Sequence, residues 1–115
     1  DEILLPETLL NGEYAITSVE YERVEFICSA NIKFKFKDKL GSIYISKYDM
    51  EEIVPDVEFL NVTSEIEKIE IDNATVFCFM QDKEASINYR DGLSLYTIQI
   101  PLKLNDAVEF AKTIK

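Results

Sequence analysis

The groups available for chemistry are 22 carboxylates, 12 basic side chains, two cysteines and no histidine. Without histidine, the usual general base of Ser-His-Asp and Cys-His sites is missing. The commonest zinc ligand is missing with it. Cys28 and Cys78 are too few to hold a structural zinc ion. Acid–base work by two carboxylates needs no histidine, but no pair is set apart by its spacing. The acids that crowd are Asp49, Glu51, Glu52, Asp56 and Glu58, around Pro55. They lack the Asp-x-Asp-x-Asp-Gly spacing that wraps oxygen ligands around one calcium ion. They read as a solvated loop. The sequence therefore predicts no enzyme, no catalytic residue, no metal site and no cofactor.

One basic feature stands out. Lys33, Lys35 and Lys37 alternate with Ile32, Phe34 and Phe36, on a chain of formal charge -10. These three lysines are the candidate binding residues, a band suited to an anionic polymer or an acidic partner. The same alternation also describes the wet face of a strand, and lysine blunts exposed sheet edges. The net charge repels nucleic acid and anionic membrane surfaces. Seven Phe and six Tyr suit either a lipid-lined cavity or the filled core of a small domain. The two cysteines suit either one disulfide or two reduced thiols acting as small apolar groups. A disulfide would close a loop of about 51 residues and contribute roughly 4 kcal/mol.

The elements that position these groups are mostly strands. The 115 residues are one domain, 1–115, with 47% apolar residues and only six Gly and Pro together. No apolar run is long enough to span a membrane. The chain opens on Asp1 rather than Met, so a segment upstream is expected to have been removed. Residues 1–13 read as a lead-in with one helical turn, Pro6 at its start and Gly12 at its end. Period-two alternation predicts strands over 14–21 and 23–28. A hairpin follows, with a four-residue turn over Asp38–Gly41 and Gly41 at positive φ. That turn sets Phe36 against Ile43 and Phe34 against Ile45. Residues 49–65 read as a loop with a short strand at 57–62.

Two more hairpins follow, 66–71 with 74–80 and 84–90 with 93–100. Asp91-Gly92 is the strongest turn signal and pairs Tyr89 with Ser94, Ile87 with Tyr96 and Ala85 with Ile98. The turn at 81–83 is open between two and three residues. Two residues place Cys78 and Met80 on the core face; three place Phe77 and Phe79 there. Residues 105–115 read as a helix, with Asn105 as N-cap and an apolar stripe of Ala107, Phe110, Ala111 and Ile114. The fold class is α+β: a meandering antiparallel sheet of about six to eight strands with a C-terminal helix packed on one face.

The ending carries a family pattern. Asn88-Tyr89-Arg90-Asp91-Gly92-Leu93-Ser94-Leu95-Tyr96-Thr97-Ile98 leads into Leu104-Asn105-Asp106-Ala107-Val108-Glu109-Phe110-Ala111-Lys112-Thr113-Ile114-Lys115. This resembles the bacterial family called domain of unknown function 4367, in which a Tyr-x-Ile strand precedes a helix ending in Ala-x-x-Ile. Pro6, Leu9, Gly12 and Tyr14 resemble that family's opening motif. The resemblance implies an extracytoplasmic domain of a membrane-anchored bacterial protein, tethered through a segment upstream of Asp1. It implies a distant likeness to lipoprotein-carrier half-barrels, and it brings no catalytic residues. The expected function is a non-catalytic sensor or protein-interaction domain. Its partner would be another protein of the cell envelope, without nucleic acid and without membrane insertion by this domain. The alternative is a carrier of a lipid or other apolar ligand within a curved-sheet half-barrel.

Overall fold

A computed structural model describes residues 14–36, 38–56, 59, 61–71 and 74–112. Seven strands are β1 (Tyr14–Val24), β2 (Ile27–Phe36), β3 (Lys39–Tyr48), β4 (Glu67–Ile71), β5 (Ala74–Gln81), β6 (Glu84–Asp91) and β7 (Ser94–Ile100). They form one antiparallel sheet in the order β1-β2-β3-β7-β6-β5-β4. Helix α1 (Leu104–Ala111) follows. The meandering sheet with a C-terminal helix is thus observed. It consists of two meanders, β1–β3 and β4–β7, joined where β3 pairs with β7.

The turns are tighter than the sequence suggested. The 23–28 strand does not exist: β1 runs on to Val24, which pairs with Ile27. The chain reverses at Glu25-Phe26, with Glu25 at φ 53°. Glutamate is an unusual occupant of that left-handed position, so the turn carries no sequence signature. In the next hairpin Phe36 pairs with Lys39, not Ile43. Phe34 pairs with Gly41 and Ile32 with Ile43. Gly41 is not at positive φ; it is small because Phe34 lies over it. A Cβ there would sit 2.6 Å from Phe34 Cζ and 2.9 Å from the Gln99 carbonyl oxygen. In the last hairpin the reversing residues are Gly92-Leu93, with Gly92 at φ 59°. Tyr89 therefore pairs with Tyr96, Ile87 with Ile98 and Ala85 with Ile100.

Both register corrections are shifts by an even number of residues. Side chains alternate with period two, so an even shift preserves the face assignments. The apolar face therefore assembles as expected. Phe34, Ile43, Val76, Ile87, Ile98 and Ile100 are all at most 2% exposed. Tyr89 and Tyr96 stack in parallel on this face, with centroids 4.8 Å apart. The turn left open in the sequence has two residues, since Gln81 pairs with Glu84. Cys78 consequently pairs with Ile87 and is fully buried.

Helix α1 begins one residue earlier than predicted. Lys103 is its N-cap, without a side-chain capping bond, and Asn105 lies inside the first turn. Ala107, Phe110 and Ala111 are buried in the same cluster as the strand residues. Phe110 meets Phe36 edge to face at 5.5 Å. Ile114, the lead-in 1–13 and part of the 57–62 segment lie outside the described residues. The described residues between 57 and 62 form no strand.

Candidate functional site

Lys33 and Lys35 are exposed on β2. Lys33 lies opposite Ser18 and Ser42, and Lys35 opposite Ala15 and Leu40. Lys37 lies outside the described residues. Because β1 pairs outside β2, the lysines do not guard the sheet edge. The two described lysines form a solvent-facing row.

The acid cluster is divided among partners. Asp49 accepts from Arg23 Nη2 at 2.7 Å, and Glu51 lies 3.8 Å from Arg90. Among the described residues no three Asp, Glu or Cys side chains converge on a metal position. Arg23 Nη1 also donates to Cys28 Sγ at 2.9 Å. That bond, then the Asp49 charge, raises the Arg23 pKa above its ordinary value.

Both cysteines are free thiols, Cys28 exposed and Cys78 buried. Three strands separate β2 from β5. At about 4.8 Å per strand the two thiols are some 19 Å apart along the sheet, far beyond the ~7 Å Cα limit of a disulfide. Burial, with the Glu67 charge second, pushes the Cys78 thiol up to about 12.

A concavity lies elsewhere, on the second face of the sheet. Pairing builds its floor in rows. Asn88 lies opposite Thr97, and Thr97 opposite Tyr44, across β6, β7 and β3. In the next row Leu95 lies opposite Ser46. Tyr48 follows one pleat along β3, where its N–H donates to the Leu93 carbonyl at 2.9 Å. Pro55 and Asp56 of the segment after β3 also line it, as do Tyr89 and Tyr96. The cleft measures about 320 Å³.

Its floor is polar and yet buried. Ser46 and Asn88 are each 7% exposed, and Ser86 beside them 1%. Asn88 Nδ2 donates to Ser86 Oγ at 2.8 Å, and Thr97 Oγ1 donates to Asn88 Oδ1 at 2.9 Å. These residues read in the sequence as a wet face. The chain after β3 covers them. Phe59 packs edge to face on Phe77 and Phe79, at 5.0 and 5.7 Å. Thr63 and Ser64 then tie the segment to β5: the Thr63 N–H donates to the Met80 carbonyl, and the Met80 N–H to Ser64 Oγ, both at 2.8 Å. The available signal was Tyr44-x-Ser46-x-Tyr48, an amphipathic row on the strand face opposite Ile43 and Ile45.

No protein-family model, curated protein or solved structure matches this chain.

A second surface is the outer edge of the sheet. The two edges differ. β4 is five residues long and carries Glu67, Lys68 and Glu70, the short charged form that discourages pairing. β1 is eleven residues long. Tyr21 is 81% exposed, and Ile16, Val24 and the adjoining Phe26 are each more than half exposed. A bulge interrupts β1 between Ile16 and Ser18, but pairing is continuous from Ser18 to Val24. Among the described helices, none is long and apolar enough to cross a membrane.

Proposed function

We propose that the chain is a non-catalytic protein-interaction domain that takes an extended segment of a partner onto the outer edge of β1. The observation that carries this reading is the row of exposed apolar residues along the edge strand, Tyr21 above all. Main-chain groups along an edge strand give affinity to an added strand, and alternate side chains give it register. The formal charge of -10 favours a neutral or basic partner segment. The resemblance to the domain of unknown function 4367 family suggests the setting: an extracytoplasmic sensor of a membrane-anchored bacterial protein, with a cell-envelope partner. In this reading α1 covers one face of the sheet and leaves β1 free to dock.

Carriage of a lipid or other apolar ligand ranks second. It calls for an unfilled apolar space beside the terminal helix, and the side chains around Phe110 are packed to 5% exposure or less.

The test is a photo-crosslinking residue in place of Tyr21, with Lys83 as the control position, in cells fractionated before analysis. A single envelope protein crosslinked from position 21 and not from 83 is the expected result. Equal capture from both positions, or a chain confined to the cytosol, overturns the proposal.

A further inference from the structure

The cleft between the second sheet face and the Pro55-Asp56 segment is built like a small-molecule site. Its volume of about 320 Å³ falls at the low end of ligand pockets, about 300 to 1,000 Å³. Such sites combine apolar walls with a few fixed polar groups. The walls here are Tyr44, Tyr48, Leu95 and Pro55. The fixed polar groups are Asn88, locked between two hydroxyl partners, and Ser46.

Ser46 is the informative residue. It is 93% buried and lines the cleft, and its hydroxyl has no side-chain partner among the described residues. The buried side-chain atom left without a partner among the described residues is Asn31 Oδ1, not the Ser46 hydroxyl, so that hydroxyl is open to the cleft, where a ligand group can replace solvent. Asn88 is likewise nearly buried, and its amide has four bonding positions, of which two are used by Ser86 and Thr97.

The charge of the site is one-sided. Among the described residues, Asp56 is the carboxylate of its lining, and no lysine or arginine lines it. Tyrosines beside a carboxylate suit a cation, which aromatic rings and an acid both attract. The apolar walls suit an apolar body.

We infer that this cleft binds a small organic amine: an apolar body hydrogen-bonded at Ser46 and Asn88, with its protonated nitrogen at Asp56. No residue of β1 is among those that line the cleft, so it stands or falls apart from the partner-docking reading.

The test is a titration of the folded chain with tyramine, followed by two-dimensional amide NMR, with 4-ethylphenol as its analogue lacking the amine. Tyramine is expected to shift the backbone amides of Ser46, Leu95 and Thr97 and the Asn88 side-chain amide. It should bind at least tenfold more tightly than 4-ethylphenol. Asp56→Asn should erase that preference, and Ser46→Ala should weaken both ligands. The Ser46 hydroxyl has no side-chain partner to lose among the described residues, so its variant keeps the fold and the test remains decisive if Asp56→Asn does not. Shifts confined to β1, no shift at millimolar tyramine, or equal binding of the two probes would each overturn the inference.

Discussion

At Gly41 a single methyl group decides whether the central sheet closes. The Phe34 ring and the Gln99 carbonyl oxygen both stand within 3 Å of where a Cβ would sit. Overpacking of this kind costs about 1 to 3 kcal/mol, so Gly41→Ala should lower the urea midpoint by a matching amount. Gly92→Ala meets open space, and its cost of about 1 to 2 kcal/mol comes from the left-handed backbone alone. A second residue, Asn88, joins Ser86 to Thr97 under the loop. Asn88→Ala leaves two hydroxyls without their partner and should destabilise by about 1 to 3 kcal/mol, again read from denaturant melts. Cys78 makes stability depend on alkali. Its thiol titrates near 9.0 when free and at about 12 in the fold. Below pH 9 both states hold the proton and the stabilisation is complete. Above pH 9 the unfolded chain loses the proton first, so stability falls through the window up to about pH 12, by at most about 1.4 kcal/mol per pH unit. Tyr89, raised above 10.0 by burial first and by Tyr96 and Asp91 next, adds to the loss above pH 10. Chemical denaturation at a series of pH values should show a flat region below pH 9 and a decline above it, and Cys78→Val should delay the onset.

The elements were legible in the sequence to different depths. Alternation identified β2, β3, β6 and β7 and the correct face of each, because inward and outward side chains differ in polarity at every step; β5 was legible as a strand, but both its faces are apolar and its inward face was decided by the two-residue turn. Register was less legible. Phe36 against Lys39 is no better a pair by itself than Phe36 against Ile43, yet only the former places Gly41 under the Phe34 ring. The turn at Glu25-Phe26 was invisible because its residues carry no turn chemistry. The helix was legible through its apolar stripe, but its start was not. Asn105 has the right chemistry for a cap, while the observed cap is Lys103, two residues earlier, with the Ala107 N–H bonded to the Lys103 carbonyl at 2.9 Å. What the stripe contributes is measurable. Phe110 is 5% exposed and sits on Phe36. Phe110→Ala should cost about 3 to 5 kcal/mol, a large share of the ~5 to 15 kcal/mol that holds a small domain folded. A chain ending at Lys103 should therefore lose its cooperative thermal transition, and a sharp melt of that truncated form would falsify the role given to α1.

On the scale of the whole molecule, the decisive feature is that the sheet is covered on its second face over β5, β6 and β7. Tyr21 lies outside that cover, at the edge. Tyr21→Lys should change the unfolding free energy by no more than about 0.5 kcal/mol while abolishing crosslinking to a partner, which melts and crosslinking yields check together. Composition and alternation by themselves determined the antiparallel sheet, the terminal helix, the absence of histidine chemistry and the apolar face, since these follow from side-chain types and local period. The tertiary structure alone decided the rest. It separated Cys28 from Cys78 by three strands, isolated Lys33 and Lys35 on an inner strand, and roofed Ser46 and Asn88 with the segment after β3. Each of these depends on which strands are neighbours and where a long connection crosses them. Those contacts join residues distant in sequence, and no local pattern encodes them.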